Sequence, residues 1–363
     1  EFLDEQENDL LLFPDPATLT ALPWRPQTGR VVSMFCHIRY ANGKPFEADG
    51  YAMLEQAVQR LQKFGLECSV GIESEFYIFR LDDDGNPTDT PYDRAGYLDS
   101  APADKCENIR REIIFNIESM GMTPTSSHHE KGPGQNQIDF KQADPIISAR
   151  NMLLFKAAVK NTCGRNGLHA TFRPKPLATE SGSGLHFTIR LTRGGQPVFG
   201  QTFGDGATDG EAFLEGILAR AKELSMFTNP TAESYRRLGE CNAPRIISWS
   251  RQNRSQFAKY CERNGEYGLK LRIADGEVNP FLVLALILHA GLDGIAEKLR
   301  LRPAIDKRPA DMADAAVDAT LSLPISLAEA VTVGEKSKWL KKQLGARLVA
   351  HYAACKRKES ATE

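Results

Sequence analysis

The 363-residue chain has no CxxC pair, and its seven cysteines (36, 68, 106, 163, 241, 261 and 355) are scattered and odd in number. That argues against a disulfide framework and for free thiols in a reducing cytoplasm. It has no charge excess either. Its 45 Lys+Arg against 47 Asp+Glu leave a formal −2, which removes the basis for a nucleic-acid footprint or attraction to a membrane surface. Long apolar runs are missing. The longest, "FLVLALIL" at 281–288, fits a buried helix and not a membrane span. There is no signal peptide, internal repeat or low-complexity linker. An initiating Met is also missing; the chain opens on Glu1, as a fragment of a longer protein would. What remains, 41% hydrophobic and 25% charged residues, is ordinary globular composition.

Within it, "GIESEFYIF" (71–79) stands out. Strand side chains alternate with a period of two, so Glu73 and Glu75 share one face and Ile72, Phe76 and Ile78 the other. Two like charges side by side repel and call for a cation. Three further segments have the same two-faced pattern. Gln135, Gln137 and Asp139 oppose Ile138 and Phe140; His186, Thr188 and Arg190 oppose Leu185, Phe187, Ile189 and Leu191; Lys270 and Arg272 oppose Leu269, Leu271 and Ile273. Strands with one apolar and one polar face predict an α+β fold. Its sheet would be curved and mainly antiparallel, with helices on the convex, apolar side and a polar trough on the other.

Other elements read more simply. Residues 13–26, with four prolines, predict an extended segment; 31–40 a strand; 42–45 a turn; 82–96 a polar loop. Helices are predicted over 52–64 and 102–120, closed by Gly65 and Gly121, and over 279–295, opened by Asn279 and Pro280.

Glu73 and Glu75 could bind a hard divalent cation, with a ring nitrogen offered by His186. In "SHHE" (127–130), His128 and His129 point to opposite faces if extended, so they cannot both serve one ion. "SGSG" (181–184) predicts a turn that lets backbone approach a ligand. Arg237, Arg251, Arg254 and Arg272 offer guanidinium groups suited to carboxylate or phosphate.

Taken in order, "FPDPATLTALPW", "GIESEFYIF", "GYLDSAP", "HHEKGPGQNQIDF", "LHATFRPKP", "GSGLHF", "NPTAESYRRL", "APRIISWSRQNRS" and "NPFLVLALILHAGLDGI" resemble the glutamine synthetases of bacterial type, from about Leu10 to the segment near residue 330. The resemblance implies a half-barrel catalytic domain over 1–363, with 1–30 as its lead-in and the family's small N-terminal β-grasp domain absent. It implies stacked rings, homo-oligomeric or mixed with a homologue, and ATP-driven ligation of glutamate to ammonia or an amine, with two Mg²⁺ or Mn²⁺ ions.

Residue by residue, the resemblance implies that Glu75 and Glu130 serve a first metal and Glu73 and His186 a second. Gly182, Arg237, Arg254 and Arg272 would hold substrate, Arg254 at the transferring phosphate, and Ser183 and Lys259 the nucleotide. Three carboxylates of the pattern are replaced. Gln137 stands at a first-metal ligand, Lys270 at a second-metal ligand, and Asn242 at the flap acid that helps deprotonate ammonium. Six positions that ordinarily sum to −5 here sum to −2, which two divalent ions would over-neutralise. Lys270 is therefore expected beside Glu73 in place of the second ion. The resulting expectation is a family member with weak or no ligase activity, structural or regulatory in role. The rivals are an active glutamine synthetase or γ-glutamyl-amine ligase, and a glutamate or nucleotide sensor.

Overall fold

A computed structural model describes residues 9–25, 28–201, 203–204, 206, 208–263, 265–306 and 321–361. Of the lead-in predicted over 1–30, residues 1–8 and 26–27 lie outside the described residues. The rest is not simply extended: it forms β1 (Leu10–Pro14), a 3-10 turn (Pro16–Thr18) and β2 (Thr20–Ala21). The strand predicted over 31–40 is two strands, β3 (Val32–Ser33) and β4 (Cys36–Tyr40). They pair separately, β4 with β1 and β3 with β2. In α1 (Gly50–Lys63) the Asp49 side chain accepts from Tyr51 N–H and caps the helix.

The long β5 (Glu67–Leu81) follows, then β6 (Pro87–Pro91), a short strand inside the predicted loop that pairs back onto β5. Helix α2 (Glu107–Ser119) starts later than the predicted residue 102. Asp93 accepts from Lys105 N–H and Asp104 from Cys106 N–H; such side-chain bonds compete with the helical ladder. The chain continues through β7 (Pro124–His129), β8 (Gln135–Ala143), α3 (Pro145–Arg165), β9 (Leu168–Thr171), β10 (Gly184–Arg193), β11 (Gln196–Pro197), α4 (Asp209–Thr228) and α5 (Ala232–Arg237). Next come β12 (Trp249–Ser250), β13 (Ala258–Arg263), β14 (Glu266–Asp275) and α6 (Pro280–Glu297), and finally α7 (Leu327–Lys336), α8 (Lys338–Leu344) and α9 (Ala346–Ala361).

Ten strands make the main sheet, in the order β12-β13-β14-β10-β5-β8-β7 with β6, β9 and β11 at its margins. Every pair is antiparallel except β12–β13. The four predicted two-faced strands lie inside β5, β8, β10 and β14, and these are contiguous in the sheet. Their apolar faces make the core. Phe76 is fully buried, with its ring centroid 6.0 Å from Phe155 and 5.5 Å from Phe172. Burying such a ring is worth roughly 2–3 kcal/mol.

Helix α6 is long and apolar enough to cross a membrane, but its side chains from Phe281 to Leu288 are buried in the core. It crosses α4 closely. A Cβ on Gly216 would come within 2.2 Å of the Ala290 carbonyl oxygen, and one on Gly294 within 2.0 Å of that of Ala212. Only glycine fits at this crossing.

Candidate active site

The polar faces of β5, β8, β10 and β14 line one cavity of about 960 Å³. Register sets its layout. Glu73 stands opposite His186 on one side and Asp139 on the other. Glu75 is opposite Gln137, which is opposite His128 on β7. Lys270 is opposite Thr188 on β10 and Lys259 on β13.

Glu75, Glu130 and Gln137 all line the cavity. The Glu75 carboxylate accepts from Gly184 N–H (2.8 Å) and Gln135 Nε2 (3.3 Å). Burial, and then the charge of Glu130, push its pKa up to about 7. A buried carboxylate held near a second one fits a divalent cation between the two. Glu130 meets His128 Nε2 at 3.0 Å, and that bond raises the His128 pKa. His129 points the other way and meets Asp93 at 2.9 Å in the interior. Gln137 turns its amide nitrogen to Asp139 (2.8 Å), so its carbonyl oxygen is the atom left to face a cation.

The neighbouring position differs. Lys270 Nζ donates directly to Glu73. His186 is 4% exposed; its Nδ1 lies 3.7 Å from Glu73 and has no hydrogen-bond partner. Burial, with the Arg272 charge next, lowers the His186 pKa to about 3, so the ring is neutral. Burial works to raise the pKa of Glu73, but the His186 ring and the Lys270 ammonium hold it well below the carboxylate range. Asp139, assigned no role from sequence, is pushed up to about 6 by burial and by the charge of Glu73. The Lys270 ammonium on the Glu73 carboxylate does not fit a second divalent ion, whereas the unpartnered neutral imidazole beside it keeps a ring nitrogen in the form that ligates metal.

Gly182, Arg237, Arg254 and Arg272 also reach the cavity. A Cβ on Gly182 would meet the Pro174 carbonyl oxygen at 2.5 Å and Arg237 Cγ at 2.6 Å. The backbone at Gly182 is thus packed closely on the protein's own chain, and the same residue lines the cavity. Arg237 is 4% exposed, held by the Ala274 carbonyl (3.1 Å) and Asn229 Oδ1 (3.3 Å), with Nε unpartnered. Lys259 lines the cavity but Ser183 does not. Ser183 precedes the first residue of β10 and is fully buried.

The mouth carries Asn242 in a tight loop closed by bonds from Gly239 N–H to Ala243 O (3.1 Å) and from Ala243 N–H to Glu240 O (2.9 Å). Cys241 sits at its tip with φ 53°. Asn242, with its amide turned to satisfy its neighbours, accepts from Lys131 Nζ at 3.1 Å. Glu240 in this loop is ion-paired with the buried Lys175, a contact between residues distant in sequence that no local pattern signals.

Comparisons with known proteins agree with this architecture. A family model for the glutamine synthetase catalytic domain matches residues 47–363, running past the segment near 330 where the motif resemblance ends. A glutamine synthetase of Methanosarcina mazei is 37% identical over 360 residues, 98% of this chain and 80% of that protein. One of Staphylococcus epidermidis is 37% identical over 351 residues, 95% and 79%. Among solved structures, apo GmaS without ligand superposes with a TM-score of 0.86 at 30% identity, covering 99% of this chain and 83% of that one. Plasmodium falciparum glutamine synthetase, at 21% identity and a TM-score of 0.84, shares the fold over 99% of this chain and 85% of that one.

Proposed function

The chain belongs to the glutamine synthetase family, and we propose that within it this protein has weak or no ligase activity and acts as a structural or regulatory paralogue. The Lys270–Glu73 contact carries this reading. An ammonium where a divalent ion would sit opposes it by roughly 8 kcal/mol at 4 Å and an effective dielectric near 20, twice the unit-charge value. Phosphoryl transfer draws on metal ions to neutralise the charge that develops, and one of two is lost. Asn242 at the mouth cannot take a proton from an incoming ammonium.

The remaining metal position would hold Mg²⁺ or Mn²⁺ weakly through Glu75 and Glu130, with the Gln137 carbonyl as a poor third ligand. When bound, the ion supplies a counter-charge for a ligand's anionic groups. Arg237 and Arg272 would grip a glutamate-like carboxylate, Arg254 a phosphate, and Lys259 would face a nucleotide such as ATP. We read residues 1–363 as one catalytic domain of a ring, built with itself or with an active homologue.

Retention of Glu75, Glu130 and the arginines in one cavity favours a second reading, a γ-glutamyl ligase for an amine other than ammonia. Glutamate-dependent ATP hydrolysis by the full-length protein across an amine panel distinguishes the two. Absence of turnover together with ATP or glutamate binding supports the first reading, and turnover with any amine overturns it.

A further inference from the structure

A second cavity, of about 440 Å³, lies where β6 pairs back onto the end of β5. It shares no lining residue with the active-site cavity. Three cations line it, Arg80, Arg94 and Lys105, against one carboxylate, Asp93. That carboxylate is turned inward and already engaged. Its side chain is fully buried; Oδ1 meets His129 Nε2 (2.9 Å) and Gly134 N–H (3.0 Å), and Oδ2 accepts from Lys105 N–H (2.9 Å). Among the described residues, neither the Arg94 nor the Lys105 side chain has a carboxylate partner.

The fold assembles these charges from separate segments. The bond from Lys105 N–H to Asp93 ties the loop after β6 to the segment before α2 and so brings Arg94 and Lys105 to one cavity. Arg80 comes from β5. Its Nη2 donates to the Tyr92 carbonyl (3.1 Å), and its guanidinium lies over the Tyr92 ring, 5.3 Å from the centroid. Stacking fixes a guanidinium in place and leaves its charge without an anion. Like charges gathered in one cavity repel, and an anion among them is attracted by all three. Thr90 adds a hydroxyl, and Pro102 and Ala103 add apolar surface. A phosphate accepts hydrogen bonds on several sides, whereas a carboxylate accepts in one plane, so charges delivered by three segments suit the phosphate. The apolar surface suits a short carbon chain attached to it.

We propose that this cavity binds a small phosphate monoester, with Arg80, Arg94 and Lys105 on the phosphate and Pro102 and Ala103 against the carbon chain. None of these residues has a part in the proposed function, so ligase turnover, found or absent, leaves the cavity's role untouched.

Calorimetric titration of the full chain at constant ionic strength tests this with glycerol 3-phosphate, inorganic phosphate, succinate and glycerol in separate arms. Glycerol 3-phosphate should bind most tightly and phosphate next; succinate should bind about tenfold more weakly than glycerol 3-phosphate, and glycerol should not bind. Arg94→Gln combined with Lys105→Gln should weaken glycerol 3-phosphate about twentyfold, while Arg254→Gln, in the active-site cavity, should not weaken it. Far-UV circular dichroism confirms that the variants are folded. Should the double variant not fold, the two single variants take its place, each expected to cost about fivefold. No binding to the wild type, succinate bound as tightly as glycerol 3-phosphate, or undiminished binding in the folded Arg94 and Lys105 variants would each overturn the inference.

Discussion

Replacing Lys270 by glutamate tests the core of the proposed function. In the wild type the Lys270 and Glu73 side chains are 21% and 24% exposed. The pair is thus partly solvated, and an effective dielectric near 20 suits it better than that of a dry interior. At that value an ammonium about 4 Å from a divalent ion costs roughly 8 kcal/mol, and Lys270→Glu exchanges this for an attraction of the same order. Water and side-chain movement reduce both. If only a third of the original repulsion survives, its removal is worth about 2.7 kcal/mol, or roughly a hundredfold in Kd. Mn²⁺ titration followed by electron paramagnetic resonance should find one weak site in the wild type and a second in Lys270→Glu. Lys270→Gln, which removes the charge without adding a ligand, should fall between. The new carboxylate beside Glu73 and Asp139 should lower the Tm without metal, and Mg²⁺ should restore it in the variant far more than in the wild type. Two strong sites in the wild type, or no gain in a folded Lys270→Glu, would refute the reasoning.

Three further outcomes are expected. Because burial and Glu130 raise the Glu75 pKa to about 7, the stability its proton gives is full below the ordinary 4.5 and is lost as pH rises through about 7. Metal must displace that proton, so Mn²⁺ affinity should climb with pH to about 7 and then level, and Glu75→Gln should flatten the profile. Cys241 is the one exposed cysteine of the seven, so iodoacetamide mapped by mass spectrometry should label it first and a cavity ligand should slow the reaction; faster labelling elsewhere would count against the loop geometry. Lys175→Met removes the buried partner of Glu240, and amide exchange of residues 239–243 should quicken while the β5 amides stay protected; unchanged exchange would mean the ion pair does not hold the loop.

The sheet was legible because alternation is a local signal. Each of β5, β8, β10 and β14 carries its own apolar face, and one face must be buried. Where local bonds compete, the reading slipped. The start of α2 depends on Asp93 and Asp104 holding backbone N–H groups, and Asp93 lies well upstream. The strand predicted over 31–40 divides because its two halves have partners on different segments. The motif resemblance assigns Ser183 to the nucleotide, while in the structure its neighbours Gly182 and Gly184 line the cavity and Ser183 itself is buried.

The site was legible to a different depth. Residue types gave the cation question at Glu73 and Glu75, and the motif resemblance located Lys270. Neither could give register. In an antiparallel sheet a slip of one residue moves every side chain to the other face. The contact between Lys270 and Glu73 therefore depends on β10 keeping its phase between them. It does so across an irregularity between Leu185 and Phe187, on either side of His186. There Leu185 is opposite Ala274 while Phe187 is opposite Leu271, so β14 spends an extra residue where β10 advances by two. That shift, and not the identity of any one side chain, is why Lys270 stands opposite Thr188 and yet reaches Glu73, whose direct neighbour on β10 is His186. A lysine is long enough to cross that diagonal. A carboxylate at the same position would stop short of Glu73 and leave between the two a gap that an ion can fill.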